Sequence, residues 1–288
     1  MANLITGNAA NFIPEVWSKK LLVNFYKTTV LEQICNTDYE GEISGQGSKV
    51  IIRQTPTVGI ADYDPMAATP ISSYEDLGED TIELMIDKAK MFRFKVDDVL
   101  KAQSDVELVN NATRDAGENM KIAVDSDVLG TIASQAGTVM ATTQITKANI
   151  IDMIVDMGTA LDEKNIPESG RWLVLPPWMG AMIKKSELKD ASLSGDGTSI
   201  LRNGRLGVID RFTIYQSNSL PTANGGDDTT VLAGTKAYAT FASQFVKTET
   251  LRLQDRFGDA VRGLKVYGYK VAQADAGVCL VASKGVVA

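Results

Sequence analysis

The chain has 288 residues, of which 44% are apolar and 23% charged, and its formal net charge is −7. This composition is typical of a folded globular protein, and the acidic average argues against a strong nucleic-acid binder, whose basic surface displaces counterions from phosphates. The sequence contains no histidine, which excludes imidazole-based catalysis and histidine-ligated metal sites.

The two cysteines, Cys35 and Cys279, lie near opposite ends of the chain and in no metal or redox spacing. We expect two separate buried thiols rather than a disulfide, which fits a reducing cytoplasm. The N-terminus lacks a basic region followed by an apolar core, so no signal peptide is predicted. No apolar run approaches the length that spans a membrane. A soluble intracellular protein is therefore expected, with no membrane partner.

The first predicted element is an amphipathic helix that begins near Pro14. Trp17, Leu21, Phe25 and Leu31 fall on one stripe, and lysines lie on the opposite face. Proline is tolerated in the first turn because its missing N–H has no partner there. A helix at the extremity of the chain packs on its own domain or on a neighbouring subunit.

Two predicted strands follow, in "KVIIRQTPTV" (residues 49–58) and "TIELMIDKAKMFRFKV" (residues 81–96). The residues between them, 59–80, contain two prolines and an acidic bias, and a loop of that length normally has a function. The pair predicts a long two-stranded arm with an irregular tip. Because an isolated hairpin is only marginally stable in water, the arm needs a surface to lie on.

From residue 97 to residue 135 the apolar positions step by three or four, and no proline interrupts them. One helix of roughly 45–55 Å is predicted, at ~1.5 Å per residue. Its stripe is rich in alanine, which permits close approach of whatever packs there.

The remaining chain predicts a mixture of short elements, and the fold class is therefore α+β. A glycine–threonine passage (136–146) leads to a helix with Thr146 as its N-cap. Next come a buried strand, a double-proline stop and a short helix within 170–188, and then a flexible loop (188–207). Strands are predicted in "RFTIYQSNSLP" and "TTVLAG", a helix in "TKAYATFASQF", and strands and turns to the end.

The stretch "GQGSK", from Gly45 to Lys49, resembles a phosphate-binding loop by composition. A Walker loop that starts at Gly41 requires glycine at position 46, where this chain has Gln46, and it requires lysine before serine. The stretch also precedes a strand, so no helix N-terminus is available for a phosphate. We interpret it as a polar turn that leads into the arm.

Carboxylates are the remaining catalytic option in a chain without histidine. Asp97–Asp98 and Asp125/Asp127 have spacings that point to different faces of a helix, and Asp227–Asp228 lies in a predicted turn. Solvated charges explain them better than catalysis, and "DASLSGDGT" lacks the ligands of a calcium loop. The aromatic and basic residues of "MFRFKV" are explained by strand packing better than by nucleic-acid stacking. No catalytic, cofactor-binding or metal-binding residue is predicted, and no cofactor.

The order of these elements resembles the tailed-phage major capsid proteins with the Hong Kong 97-type fold, in the branch related to short-tailed phage coat proteins. Residues 12–35 resemble the N-terminal arm of that family, and the two predicted strands resemble its extended E-loop. The predicted long helix is similar to the spine helix of the peripheral domain. Residues 251–271, "LRLQDRFGDAVRGLKVYGYKV", resemble the segment that returns to that domain.

The resemblance implies four parts: an N-terminal arm (1–38), an E-loop hairpin (39–96), a peripheral domain (97–145 and 246–288) and an axial domain (146–245). It implies a coat protein that assembles in the host cytoplasm, through hexamers and pentamers, into the icosahedral shell around a double-stranded DNA genome. Copies of the chain, a portal, weakly bound DNA, and a decoration protein in some shells are the implied partners. The chain begins almost directly with the arm at Met1, so a separate scaffolding protein is expected rather than a cleaved scaffolding segment. The tip, Gly59 to Asp80, has no lysine, so no covalent crosslink is expected.

The arm and the leader are expected to carry the contacts between subunits. The residues assigned to these contacts are Phe12, Trp17, Arg53, Tyr63, Pro65, Pro70, Tyr74 and Arg93. The alternatives are an encapsulin-type compartment shell with the same fold, a carboxylate-based hydrolase such as a glycosidase, and a tail-tube or carbohydrate-binding module.

Overall fold

The computed structural model describes residues 29–39, 49–54, 56, 58–60, 78, 80–98, 107–186, 207–254 and 257–284. The helices within these ranges are α1 (Leu31–Ile34), α2 (Glu107–Ala133), α3 (Ile150–Glu163) and α4 (Pro177–Lys185). The strands are β1 (Lys49–Gln54), β2 (Asp80–Met85), β3 (Lys88–Asp97), β4 (Thr138–Ile145), β5 (Arg171–Leu175), β6 (Val208–Ile209), β7 (Phe212–Gln216), β8 (Thr222–Ala223), β9 (Asp228–Gly234), β10 (Ala239–Arg252), β11 (Gly258–Val271) and β12 (Gly277–Lys284). The mixture of helices and sheets confirms the predicted α+β class.

A seven-stranded mixed sheet forms the largest layer. Its order is β4–β12–β9–β5–β7–β6, and β8 pairs with β9. The pairs β4/β12 and β5/β7 are parallel, whereas β9 is antiparallel to both β12 and β5. Every residue of β5 is buried, which explains why "WLVL" is a continuous apolar run rather than an alternating one.

The two faces of this sheet contribute to two separate cores. Trp172 and Val174 of β5 pack with α1 and with the C-terminal half of α2. Leu173 and Leu175 point to the other face and pack with α3 and α4. Because adjacent strand residues point to opposite faces, one five-residue strand supports both cores.

A buried arginine fixes the connection between α3 and β5. The Arg171 guanidinium donates to the Pro167 carbonyl at 3.0 Å and to the Ile166 carbonyl at 2.5 Å, and it forms a 2.6 Å ion pair with Asp162. The hydrogen bond from Arg171 holds the pKa of Asp162 below its usual range. Burial of the charge is tolerated because the guanidinium is paired and hydrogen-bonded.

The second sheet contains three strands in the order β10–β11–β3, all antiparallel. A third, two-stranded sheet is formed by β1 and β2. A small buried cluster of Leu84, Ile86 and Ala242 connects the two-stranded sheet with β10. The antiparallel pairing of this two-stranded sheet confirms that residues 49–54 pair with the start of the second predicted strand.

The single strand predicted over residues 81–96 is wrong. The chain forms β2, leaves the ladder at Ile86 and Asp87, and then forms β3. These two strands pair with different partners, since β2 pairs with β1 and β3 pairs with β11. The apolar positions skip Lys88 and Lys90 and resume with the same parity at Phe92, so the pattern alone favours one strand across the break.

Two further predictions are wrong, and one strand was not predicted. The passage after α2, to which no element was assigned, is the strand β4, parallel to β12. The segment "TKAYATFASQF" is not a helix but leads into β10, because Tyr238 and Phe241 pack into a core and tertiary burial overrides the propensity of its alanines. The N-cap of α3 is Asn149 rather than Thr146, and the Asn149 side chain accepts from the Thr146 backbone N–H at 2.7 Å.

Other predictions are confirmed. The long helix is present as α2, with 27 residues, and the strand, proline stop and short helix correspond to β5 and α4. Both cysteines are free and buried. The leader helix upstream of residue 29, residues 61–77 of the arm tip and the loop at 188–206 lie outside the described residues. Among the helices that the structure describes, none is long and apolar enough to cross a membrane.

Candidate assembly surfaces

The described residues contain no cluster of three or more acidic or cysteine side chains placed to hold a metal ion. The expectation that the carboxylate pairs are solvated is wrong for Asp125, which is only 1% exposed. Its Oδ1 accepts from the backbone N–H groups of Val30 and Leu31, at 3.1 and 3.2 Å. Burial raises the pKa of Asp125, and these two hydrogen bonds oppose that shift. Asp125 is therefore a structural anchor for the first turn of α1.

The other member of this pair, Asp127, connects α2 with the three-stranded sheet. Its Oδ2 accepts from the Tyr267 hydroxyl at 2.7 Å and lies 3.6 Å from the Lys88 amine. The Tyr269 hydroxyl donates to Thr131 at 2.7 Å and lies 2.5 Å from the same amine. The hydrogen bond to Tyr269 raises the pKa of Lys88, burial opposes that shift, and the charge of Asp127 adds to it. This network fixes α2 at the start of β3, where the arm joins the body.

The glycine stretch leads directly into the arm. Residues 41–48 lie outside the described residues, but Lys49 is the first residue of β1, as predicted. The Lys49 amine forms a 2.6 Å ion pair with Glu83 of β2. Both side chains are about half exposed, so this cross-strand pair contributes at most about 1 kcal/mol.

The root of the arm is held by a close backbone approach. A β-carbon at Gly268 of β11 would overlap the carbonyl oxygen of Met85, and it would meet the Ile86 α-carbon at 2.9 Å. Arg53 lines a groove of about 460 Å³ between the arm and the body, together with Tyr39 and Gln273. The arm therefore contacts the body at its root and borders it again near the far end of β1.

The three-stranded sheet has one face against α2 and one open face. Phe92, Phe94 and Tyr267 lie on the face towards α2, where an open groove of about 550 Å³ separates part of β3 from the helix. The opposite face is defined by three cross-strand rows, and we call it the basic face. Its rows are Lys95–Ala260–Leu251, Arg93–Arg262–Glu249 and Met91–Leu264–Lys247.

Arg252 holds together the end of the β10–β11 hairpin. It forms ion pairs with Asp98 and with Asp259, the latter at 3.2 Å. Phe257, which adjoins this cluster, is 81% exposed. A single exposed apolar side chain is common on protein surfaces and does not by itself mark an interaction surface.

The predicted contact residues are only partly placed. Arg53 lies in β1 and Arg93 in β3, so the structure puts them in different sheets and does not bring them together. The remaining six lie outside the described residues: Phe12, Trp17, Tyr63, Pro65, Pro70 and Tyr74. Exposed apolar side chains that the sequence did not single out include Met91 and Phe257. Met91 shares the parity of Arg93 and could have been found from that alternation.

The fold is that of tailed-phage capsid proteins. A structure from Mycobacterium phage Che8 is 29% identical, with a TM-score of 0.83, and the match covers 96% of this chain and 98% of that chain. The capsid of cyanophage P-SCSP1u is 16% identical, with a TM-score of 0.74, over 99% and 97% of the two chains. The capsid of a native GTA particle is 14% identical, with a TM-score of 0.70, over 98% and 100%. The class of protein is therefore a capsid subunit with the Hong Kong 97-type fold.

The sequence profile described as phage capsid protein matches residues 79–281. The chain belongs to the phage capsid protein family, and it is the major capsid protein of a tailed phage. It is a structural protein that self-assembles in the virion capsid, and the comparisons support neither the encapsulin nor the hydrolase alternative. Curated protein sequences gave no match.

Proposed function

We propose that the subunit builds an icosahedral shell through hexamers and pentamers, in which each arm lies across a neighbouring subunit. The single observation that supports this is the two-stranded sheet of β1 and β2. Within the described part of the chain these strands pair only with each other. One side of the ribbon packs on β10 through Leu84, whereas Ile51 and Met85 on its other side are more than half exposed. A neighbouring subunit would cover that exposed side, because a two-stranded ribbon is marginally stable without packing.

The four-part division is proposed with the same assignments: N-terminal arm (1–38), E-loop (39–96), peripheral domain (97–145 and 246–288) and axial domain (146–245). In this division the residue bounds assign almost all of β3 to the E-loop, although β3 pairs with β11 of the peripheral domain. Because β3 is attached to that sheet along its length, the free reach of the E-loop is expected to start at Ile86 and Asp87.

The contact residues are proposed in two groups. Phe12 and Trp17 of the leader, and Tyr63, Pro65, Pro70 and Tyr74 of the tip, supply apolar contact area to neighbouring subunits. Arg53 and Arg93 supply charge, and both are exposed in the single subunit. A stable interface buries roughly 1,200–2,000 Å², and several such contacts per subunit close the shell.

Further partners are proposed from the same assembly. A separate scaffolding protein would guide closure in the host cytoplasm, a portal would occupy one vertex, and a decoration protein would bind the finished surface in some shells. The net charge of −7 suits a shell that encloses double-stranded DNA without adhering to it tightly.

Deletion of residues 60–74 tests the role of the arm. The subunit should remain folded because the deletion lies outside both large cores, and it should fail to close shells because the tip contacts are lost. Negative-stain electron microscopy and sedimentation velocity would measure shells, and circular dichroism would measure folding.

A matched control keeps the length and removes the side chains. Residues 60–74 are replaced by a glycine–serine segment of equal length, which should also abolish closed shells if side-chain contacts matter. Normal shells from both variants would overturn the proposed role of the arm, whereas shells from the replacement alone would show that only length matters.

A further inference from the structure

The turn between β8 and β9 contains an asparagine that is followed directly by a glycine. Asn224 and Gly225 are both exposed. A β-carbon at Gly225 would have no heavy atom of the described residues within 4 Å, apart from its neighbours in the chain. The backbone nitrogen of Gly225 is therefore unhindered, both by its own residue and by its surroundings, and it follows a side-chain amide that it can attack.

The reaction that this pair allows is deamidation. The Gly225 nitrogen forms a bond to the side-chain carbonyl carbon of Asn224, and the bond from that carbon to Nδ2 breaks. The proton of the Gly225 N–H leaves with the amide group as ammonia, and a five-membered imide ring remains. Water then opens the ring at either of its carbonyl carbons and gives aspartate or isoaspartate. Water is the only co-reactant, and each product carries one new carboxylate.

The folded turn holds the two reacting atoms apart. Asn224 has a φ of 49°, in the left-handed region, where the next backbone nitrogen points away from the side chain. The side chain is also held in place, because its Nδ2 donates to the Asp228 carboxylate. Ring closure therefore requires that the turn opens and that the peptide bond after Asn224 rotates.

Few interactions oppose that opening. Strand β8 has two residues, and its pairing with β9 consists of two residue pairs. The backbone hydrogen bond that closes the turn, from the Asp227 N–H to the Asn224 carbonyl, is 3.4 Å long, which is beyond the usual range. Segments with few contacts open locally at a small fraction of the free energy of global unfolding.

The setting of a capsid makes a slow reaction relevant, because its subunits are not replaced after assembly. We propose that Asn224 is a site of spontaneous deamidation in this protein and that the contact with Asp228 limits the rate. Each event adds one negative charge to a chain whose net charge is −7.

The new carboxylate would face an existing one. The donating amide of Asn224 is replaced by oxygen, so its hydrogen bond to Asp228 is lost and two negative charges meet. Asp228 also accepts from the Ser283 hydroxyl and pairs with Ser283 in the ladder of β9 and β12. Deamidation should therefore loosen the end of β9, where it pairs with both β8 and β12.

Peptide mapping by mass spectrometry tests the site. The folded chain is incubated for weeks at physiological temperature, and a sample taken before incubation corrects for conversion during digestion. Asn165 is the internal control, because it is exposed and has a φ of 56° but precedes Ile166, whose branched side chain hinders the attack. Asn224 should exchange NH for O and yield isoaspartate, whereas Asn165 should stay intact. No conversion at Asn224, or equal conversion at both residues, would overturn the proposal.

Two variants test the role of the Asp228 contact. Asp228→Ala removes the acceptor and should speed conversion about two- to tenfold, the factor that corresponds to one net hydrogen bond. Ser283→Ala is the matched control, because it removes the other partner of Asp228 and leaves the contact with Asn224; it should convert at the unmodified rate. An unchanged rate in Asp228→Ala, or equal acceleration in both variants, would contradict a specific role of the contact.

Asn224→Asp reproduces the aspartate product and tests its consequence. Its melting temperature should fall by about 2–4 °C, the shift that one net hydrogen bond gives in a chain of this size. Asn224→Gly is the control, since it tolerates the positive φ and adds no charge, and its melting temperature should fall less. Equal melting temperatures for Asn224→Asp and the unmodified chain would show that the strand ladder does not respond to the new charge.

Discussion

Asp125 shows how one buried carboxylate can fix a short helix that lies far away in the sequence. It lies on α2, and its Oδ1 accepts from the backbone N–H groups of Val30 and Leu31. Those groups begin the short helix α1, whose N-cap residue provides no side-chain hydrogen bond. The carboxylate thus replaces the missing cap from a distant part of the sequence.

Asp125→Asn should retain an acceptor for both N–H groups while removing the buried charge. The pKa of Asp125 is raised in the folded chain, so ionisation costs folding free energy as the pH rises from the usual carboxyl range through the raised pKa. The melting temperature of the Asn variant relative to the unmodified chain should therefore increase from about pH 4 to pH 7.

The control for this prediction is Asp125→Ala, which leaves two buried N–H groups without an acceptor. It should lose about 1–3 kcal/mol for each group. Thermal unfolding of both variants across the pH range measures the difference. A constant gap between the Asn variant and the unmodified chain would show that the carboxyl does not titrate differently in the two states.

At the scale of the helices and strands, the space around a glycine decides what a β-carbon would do there. Gly268 lets β11 approach the backbone at Met85, whereas Gly117 and Gly130 of α2 have open space where a β-carbon would be. The same substitution to alanine therefore has opposite expected effects in the two elements.

Gly268→Ala should destabilise the chain by about 1–3 kcal/mol, because the β-carbon forces the Met85 carbonyl away. Gly130→Ala should instead stabilise it by about 1 kcal/mol, because alanine is the better helix former. Denaturant unfolding measures both changes. Faster proteolysis within residues 41–86 of the Gly268→Ala variant would locate the damage at the root of the arm, and equal stability of the two variants would contradict the assignment.

At the scale of the whole molecule, assembly and stability are linked by mass action. When the concentration of neighbouring subunits is about a thousand times the dissociation constant of the contact, assembly stabilises the folded subunit by about 4 kcal/mol. That gain raises the melting temperature by roughly 10 °C in a chain of this size. Calorimetry should therefore show intact shells melting above isolated subunits. The variant without residues 60–74 should melt like an isolated subunit at every concentration, and a concentration-dependent melting temperature for it would contradict the role of the arm.

Short-range patterns in the sequence were sufficient to predict several helices and strands. The three-to-four-residue period predicted α2 and α3, and the buried run "WLVL" followed by two prolines predicted β5 and α4. The basic face of the three-stranded sheet is harder to predict from such patterns. Arg93 could be assigned to an exposed strand face from its alternation with Phe92 and Phe94, but nothing local pairs it with Arg262.

The sequence by itself determined the α+β class, the absence of histidine chemistry and the acidic charge of residues 59–80. These properties depend on composition and on periods of two to four residues. Only the tertiary structure decided that the chain leaves one sheet at Ile86 and enters another, that Asp125 is buried, and that two arginines 169 positions apart in the sequence share one row. Such features depend on the pairing of distant strands, whose register is set by the packing of both cores rather than by any local signal.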